Sequence, residues 1–189
     1  MPSPLHEAAL SILVQWVTTG IVAVIAFRWL RLNRTELGLR VPRLLDWPIA
    51  LATLVVGMVA AGVVSSAFPA PDSAKSFVKT IISLPLPFRI VLVITAGVCE
   101  EFLFRGFGIT VLTRLIGNRW LSGLLSLAAF TVANAGLFGW TSSLLTPCVL
   151  GLFLTLLFLL RKNLIIGMVV HALVDAIGLI LVPMASTKG

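Results

Sequence analysis

The sequence predicts an all-α fold, a polytopic membrane helix bundle with about six transmembrane helices. Three observations carry that expectation. Of 189 residues, 59% are hydrophobic and 11% are charged. Soluble domains run about 45–50% apolar and about 25% charged, so too little charge is present to coat a soluble globule of this size. The mean hydropathy is +1.10. Apolar runs of about 20 residues, the length a helix needs to cross the hydrocarbon layer, recur along the chain. Most basic residues fall in the short breaks between those runs.

The elements follow in order. Residues 1–83 form an N-terminal two-span region with a basic loop and an interfacial segment. The first span runs from about Ala8 to Phe27. Met1 to Leu10 holds no Lys or Arg, and Arg28, Arg31 and Arg34 follow the apolar run, so an uncleaved span with a cytoplasmic C-terminal end is expected. The second span runs from about Trp47 to Phe68, with Gly57 and Ala61 as a small pair for close helix contact. Between Pro69 and Pro87, the spacing of Phe77 and Ile81 against Lys75 and Lys79 predicts a short amphipathic helix lying on the surface.

Residues 84–189 form a four-helix core. Its spans run from about Phe88 to Leu112, Trp120 to Phe138, Ser142 to Leu160 and Leu164 to Pro183. Pro147 is tolerated only near a helix start, which places the beginning of the fifth span close to Thr146. Four of the five tryptophans, Trp29, Trp47, Trp120 and Trp140, fall at span ends, as interfacial belts do.

Loop charge sets the expected orientation. Arg28, Arg31, Arg34, Arg40, Arg43, Arg114, Arg119, Arg161 and Lys162 fall on one side. Lys75, Lys79, Arg89 and Lys188 fall on the other, a bias of nine to four. That bias places both termini outside. The net charge of +7 is thus read as topology signal and contact with anionic membrane lipids, and nucleic acid is not an expected partner. Cys99 and Cys148 both sit in apolar segments, which argues against a disulfide framework. Ten Arg against four Lys, with no Tyr, point to a GC-rich prokaryotic genome and so to a prokaryotic cell membrane.

Several polar residues stand where lipid should exclude them. Glu100, Glu101, Arg105, Asn134, His171 and Asp175 all lie inside expected spans. A charged group at mid-membrane costs about 2.5–3.5 kcal/mol even on the lenient insertion scale, so such residues mark a functional site by default. Counted at ~1.5 Å per residue from the basic end of each span, Glu100 lies about 18 Å deep, Asn134 about 21 Å, Asp175 about 16 Å and His171 about 10 Å. Polar groups from three helices therefore reach overlapping heights. Glu101 and Arg105 are spaced i,i+4 and can pair on one face, as can His171 and Asp175. Glu100 is rotated about 100° from Glu101 and has no such partner, which leaves it free to act as a base on water.

The run Glu100 to Arg105 reads Glu-Glu-Phe-Leu-Phe-Arg. This EExxxR motif resembles the first motif of the CPBP family, the CAAX-processing and bacteriocin-processing intramembrane endopeptidases that include the Abi proteins. Phe130 to Asn134 takes the place of the family's FxxxH, and His171 to Asp175 that of HxxxD. Leu37 to Arg40 is similar to the loop the family carries before its second span.

The resemblance implies an intramembrane endopeptidase that hydrolyses membrane-associated or lipidated, CAAX-like peptides through a glutamate-activated water. Carried over, Glu100 is the base, His171 and Asp175 line the catalytic site, and Glu101, Arg105 and Phe130 shape it. One position departs: Asn134 stands where the family has His, and an amide takes no proton near neutral pH. Two outcomes are open. Asn134 donates to the oxyanion while Asp175 orients His171, or the protein is an inactive binding or bacteriocin-immunity membrane protein. The resemblance also raises a divalent metal such as zinc, with Glu100, His171 and Asp175 as candidate ligands. Catalytic zinc takes three protein ligands, often two or three of them His, so a metal-free glutamate mechanism is an equal expectation.

Overall fold

A computed structural model describes residues 3–138 and 142–186, so Trp140 and Lys188 lie outside the described residues. Every regular element among the described residues is helical. Helix α1, Pro4–Val24, starts behind Ser3, whose side chain accepts the His6 N–H, and continues through a π-helical turn, Ile25–Trp29. Helix α2, Asp46–Ala67, packs on α7, Leu145–Arg161, where Gly57 lets the Phe153 ring approach the α2 backbone. The surface helix α3 covers Asp72–Ile82.

The longest rod is composite. Helix α4, Leu86–Glu100, passes into a π-helical stretch, Glu101–Gly108, and then into α5, Ile109–Ile116. Gly117 ends it in the left-handed region at φ 78°. Helix α6, Arg119–Phe138, begins at Asn118, whose Oδ1 accepts the Trp120 and Leu121 N–H groups at 3.0 and 3.2 Å. A single 3₁₀ turn, Ser142–Leu144, leads into α7, which holds Pro147 in its first turn, as the sequence requires. Helix α8, Leu164–Ala176, is capped by Asn163, continues as a π-helical turn, Ile177–Leu181, and ends in α9, Val182–Ser186.

Four helical stretches among the described residues are long and apolar enough to cross a membrane: Pro4–Trp29, Asp46–Ala67, Ser142–Arg161 and Leu164–Met184. A fifth is counted when Asp72–Ile82 and Leu86–Ile116, bent by 117°, are taken as one. The sequence leads one to expect about six. The third expected span is present as a helix but carries Arg89, Glu100, Glu101 and Arg105, so charge, most of it the site's own, lowers its apolar character. Helix α6 occupies the place of the fourth and is not among those stretches.

One end of the bundle collects the basic residues. Arg114 donates to the Leu30 carbonyl at 3.1 Å and pairs with Glu36, and Arg40 donates to the Arg161 carbonyl. The Asn33 N–H at 2.8 Å and the Arg114 guanidinium hold the Glu36 carboxyl below its usual range. Gly38, at φ 75°, seats the Leu37–Arg40 stretch in the turn between α7 and α8, where its carbonyl accepts the Leu164 N–H at 2.8 Å. A Cβ on Gly38 would stand 2.8 Å from the Phe158 ring.

Asp46 is fully buried at the start of α2 and accepts from the Arg43 N–H at 2.7 Å and Arg161 Nε at 2.7 Å. Asn163 Nδ2 reaches the same carboxylate at 3.4 Å while its Oδ1 caps α8. This cluster, which no motif in the sequence marks, ties α2, α7 and α8 together below the site.

Candidate active site

Close packing of α4 on α8 builds the site. Gly97 permits it, because a Cβ there would lie 3.0 Å from both the Ala172 Cβ and the Met168 carbonyl. The approach brings the first and last of the three intramembrane motifs face to face. Glu101 Oε1 stands 3.0 Å from His171 Nδ1 and 3.0 Å from Arg105 Nη1. Glu101 is completely buried and Arg105 is 1% exposed, so their pairing neutralises two charges that lipid would not tolerate singly.

Arg105 is held on three sides. Its Nη1 pairs with Glu101 without hydrogen-bond alignment, and its Nη2 donates to the Gly151 carbonyl at 3.1 Å. Its guanidinium lies 4.3 Å from the centroid of the Phe130 ring. Gly151 is needed there, since a Cβ would meet Phe130 at 2.8 Å. The Phe130 ring is itself wedged edge-on between Phe104, at 5.3 Å, and His171, at 6.4 Å. Both Glu101 and Arg105 lie in the π-helical stretch; such stretches are frequent at functional sites.

The imidazole has two different faces. An ionised Glu101 is acceptor-only, so Nδ1 carries the proton it shares with that carboxylate. Nε2 is then turned the other way, 3.8 Å from Glu100 Oε2 and 3.7 Å from Asp175 Oδ2. The side chains of Glu100 and Asp175 keep 24% and 27% of their surface exposed, against none for Glu101. Glu100, Phe130, Asn134, His171 and Asp175 all line one cavity of about 760 Å³. Asn134 Nδ2 donates to the Phe130 carbonyl at 3.0 Å. An amide nitrogen carries two hydrogens, so a second remains.

Every residue expected at the site from the sequence is therefore brought to one place. Two details differ from expectation. The sequence points to Asp175 as the group that orients His171, but Glu101 holds Nδ1, and Asp175 stands beside Nε2 at a longer distance. The reason is spacing: Asp175 shares a helix with His171 and reaches it only at i,i+4, whereas Glu101 approaches head-on from the neighbouring rod. The amphipathic segment also does more than lie on a surface, because Phe77, Val78 and Ile81 of α3 line the cavity.

Zinc fits this donor set poorly. One imidazole is present and its Nδ1 is engaged by Glu101. Among the described residues no group of three or more His, Cys, Asp or Glu side chains is arranged to hold a metal ion. Cys99, fully buried beside Glu100 in sequence, is a free thiol.

Sequence reasoning missed the part of the cavity wall that α1 supplies. Glu7, Ser11 and Gln15 of α1 line it, spaced i, i+4 and i+8 on an otherwise apolar span. That polar periodicity was the available signal. Trp16, the one tryptophan away from a span end, fixes the orientation of α1 by donating from Nε1 to Thr95 Oγ1 on α4 at 3.1 Å.

No curated protein and no solved structure matches the chain significantly. Residues 82–177, half of the chain, match the family described as Type II CAAX prenyl endopeptidase Rce1-like. The matched stretch holds EExxxR, Phe130 with Asn134, and His171 with Asp175, the motifs that carry the resemblance to the CPBP family. This multi-pass helical membrane protein belongs to the Type II CAAX prenyl endopeptidase Rce1-like family.

Proposed function

We propose that the protein is an intramembrane endopeptidase that hydrolyses a peptide bond of a membrane-associated or lipidated peptide. The observation that carries the reading is the meeting of Glu100, Asn134, His171 and Asp175 on one cavity inside a membrane bundle. Glu100 removes a proton from water, and the resulting hydroxide adds to the carbonyl carbon of the substrate. The second amide hydrogen of Asn134 meets the charge that develops on the carbonyl oxygen. The carbon–nitrogen bond then breaks as the proton reaches the departing amine. His171 Nε2, within 4 Å of Glu100, carries it across. Glu101 holds the imidazole by Nδ1, and Arg105 holds Glu101.

A second reading, a binding or immunity protein with no turnover, rests on Asn134 standing in place of the second-motif His. The two readings separate in one assay. Purified protein in liposomes is given a synthetic S-farnesyl tetrapeptide, and the products are read by mass spectrometry. Cleavage by the wild type that is lost in His171→Ala supports the endopeptidase. A stable complex with no cleavage supports the binding protein. Asn134→His restores the acid–base group and is expected to raise turnover by about 10²-fold, the low end of what such a group contributes. A rate that is unchanged or lower shows that the amide already meets the demands of the reaction.

A further inference from the structure

We propose that α1 supplies a substrate subsite: Gln15 binds the main chain of an extended peptide about two residues from the bond to be cut. The inference rests on the endopeptidase reading and extends it to a helix outside the family match, which begins at residue 82.

Gln15 is the deepest member of the polar series Glu7, Ser11 and Gln15, all of which line the cavity that holds Glu100 and Asn134. The neighbouring α1 residues Leu13, Val14 and Val17 are exposed on the outside of the bundle, as lipid-facing groups are. Gln15 is half-buried, and its Oε1 is buried with no hydrogen-bond partner among the described residues. A buried amide oxygen left without a donor is costly, and a turn of the carboxamide about its last side-chain bond brings that oxygen to a ligand N–H that removes the cost. The Trp16–Thr95 hydrogen bond prevents α1 from rotating this side chain away.

A carboxamide offers one acceptor and two donors, the complement of a peptide group, so the ligand chemistry it fits is a peptide main chain. The spacing agrees. Trp16 meets α4 at Thr95, and Glu100 lies five residues further along that helix, about 7.5 Å deeper. An extended chain rises about 3.3 Å per residue, so Gln15 stands about two residues from the carbonyl that Glu100 serves. Ser11 and Glu7 continue the same wall along α1, and Thr80 and Ile81 of α3 line the same cavity.

The test uses the full chain in nanodiscs, with Glu100→Gln as an uncleaving background and the S-farnesyl tetrapeptide as the probe. Binding is read from the fluorescence of a dansyl group carried by the probe. Gln15→Leu is expected to weaken binding at least 10-fold, and Gln15→Asn to recover part of the loss. In the cleaving protein, Gln15→Leu is expected to raise KM by a similar factor and to change kcat less than threefold. Equal affinity with and without the Gln15→Leu substitution overturns the subsite while leaving the endopeptidase reading intact. A fall in kcat with KM unchanged also overturns it, because the residue would then act at the reaction and not in binding. A wild type that cleaves nothing, with a probe that binds neither protein, removes the endopeptidase reading and the subsite with it.

Discussion

Glu100→Gln is expected to lower the rate of peptide hydrolysis by about 10²–10⁴-fold with the fold unchanged, the range a positioned general base contributes. The amide keeps the shape of the side chain and loses only the ability to take a proton. Its fold should survive because Glu100 is not part of the neutralising pair. The side chain keeps 24% of its surface exposed to the cavity and meets His171 only at 3.8 Å. Single-turnover measurements in liposomes check the rate, and thermal unfolding of the same preparation checks the fold. A variant that cuts at the wild-type rate would remove Glu100 from the chemistry.

Arg105→Ala carries the largest expected effect on stability, a loss of about 3–5 kcal/mol, because it leaves Glu101 buried without its counter-charge. Of the polar contacts to the Glu101 carboxylate, only that of His171 Nδ1 at 3.0 Å then remains. Glu101 Oε2 has no hydrogen-bond partner among the described residues and lies against Gly167, where a Cβ would stand 3.1 Å from it. The Gly151 carbonyl and the Phe130 ring each lose their contact as well. Chemical unfolding in mixed micelles reads the loss. A second variant separates charge from packing: Arg105→Met combined with Glu101→Gln removes both charges and keeps an oxygen for His171 Nδ1. Recovery of most of the stability is expected, since a buried pair replaced by neutral groups of similar size is often no less stable. Failure to recover would show that the pair stabilises through more than mutual neutralisation.

Much of this site was legible because lipid makes polar residues conspicuous. Glu100, Glu101, Arg105, Asn134, His171 and Asp175 stood out against apolar spans, and the depth count placed groups from three helices at overlapping heights, whereas Phe130, itself apolar, came only with the family resemblance. The basic end was legible for the same reason, and the structure gathers Arg40, Arg114 and Arg161 there. What a linear pattern could not supply was the pairing across helices. Spacing along α8 suggested Asp175 as the partner of His171, yet the closer contact comes from Glu101 on another rod. Asp46 was hidden because a lone acid at a helix start reads as a cap, and only the fold brings Arg161 and Asn163 to it. Gln15 was hidden by its apolar neighbours, although its i+4 relation to Ser11 was there to be read.

In the proposed reaction Glu100 and His171, from different helices, act on the same peptide bond in one shared cavity. A double-mutant cycle on kcat/KM with Glu100→Gln and His171→Ala tests it most directly. Groups that act as one unit are strongly non-additive, so the double variant is expected to be little worse than the poorer single variant. Losses that multiply in full would mean that the two residues work independently, and the shared site would be wrong.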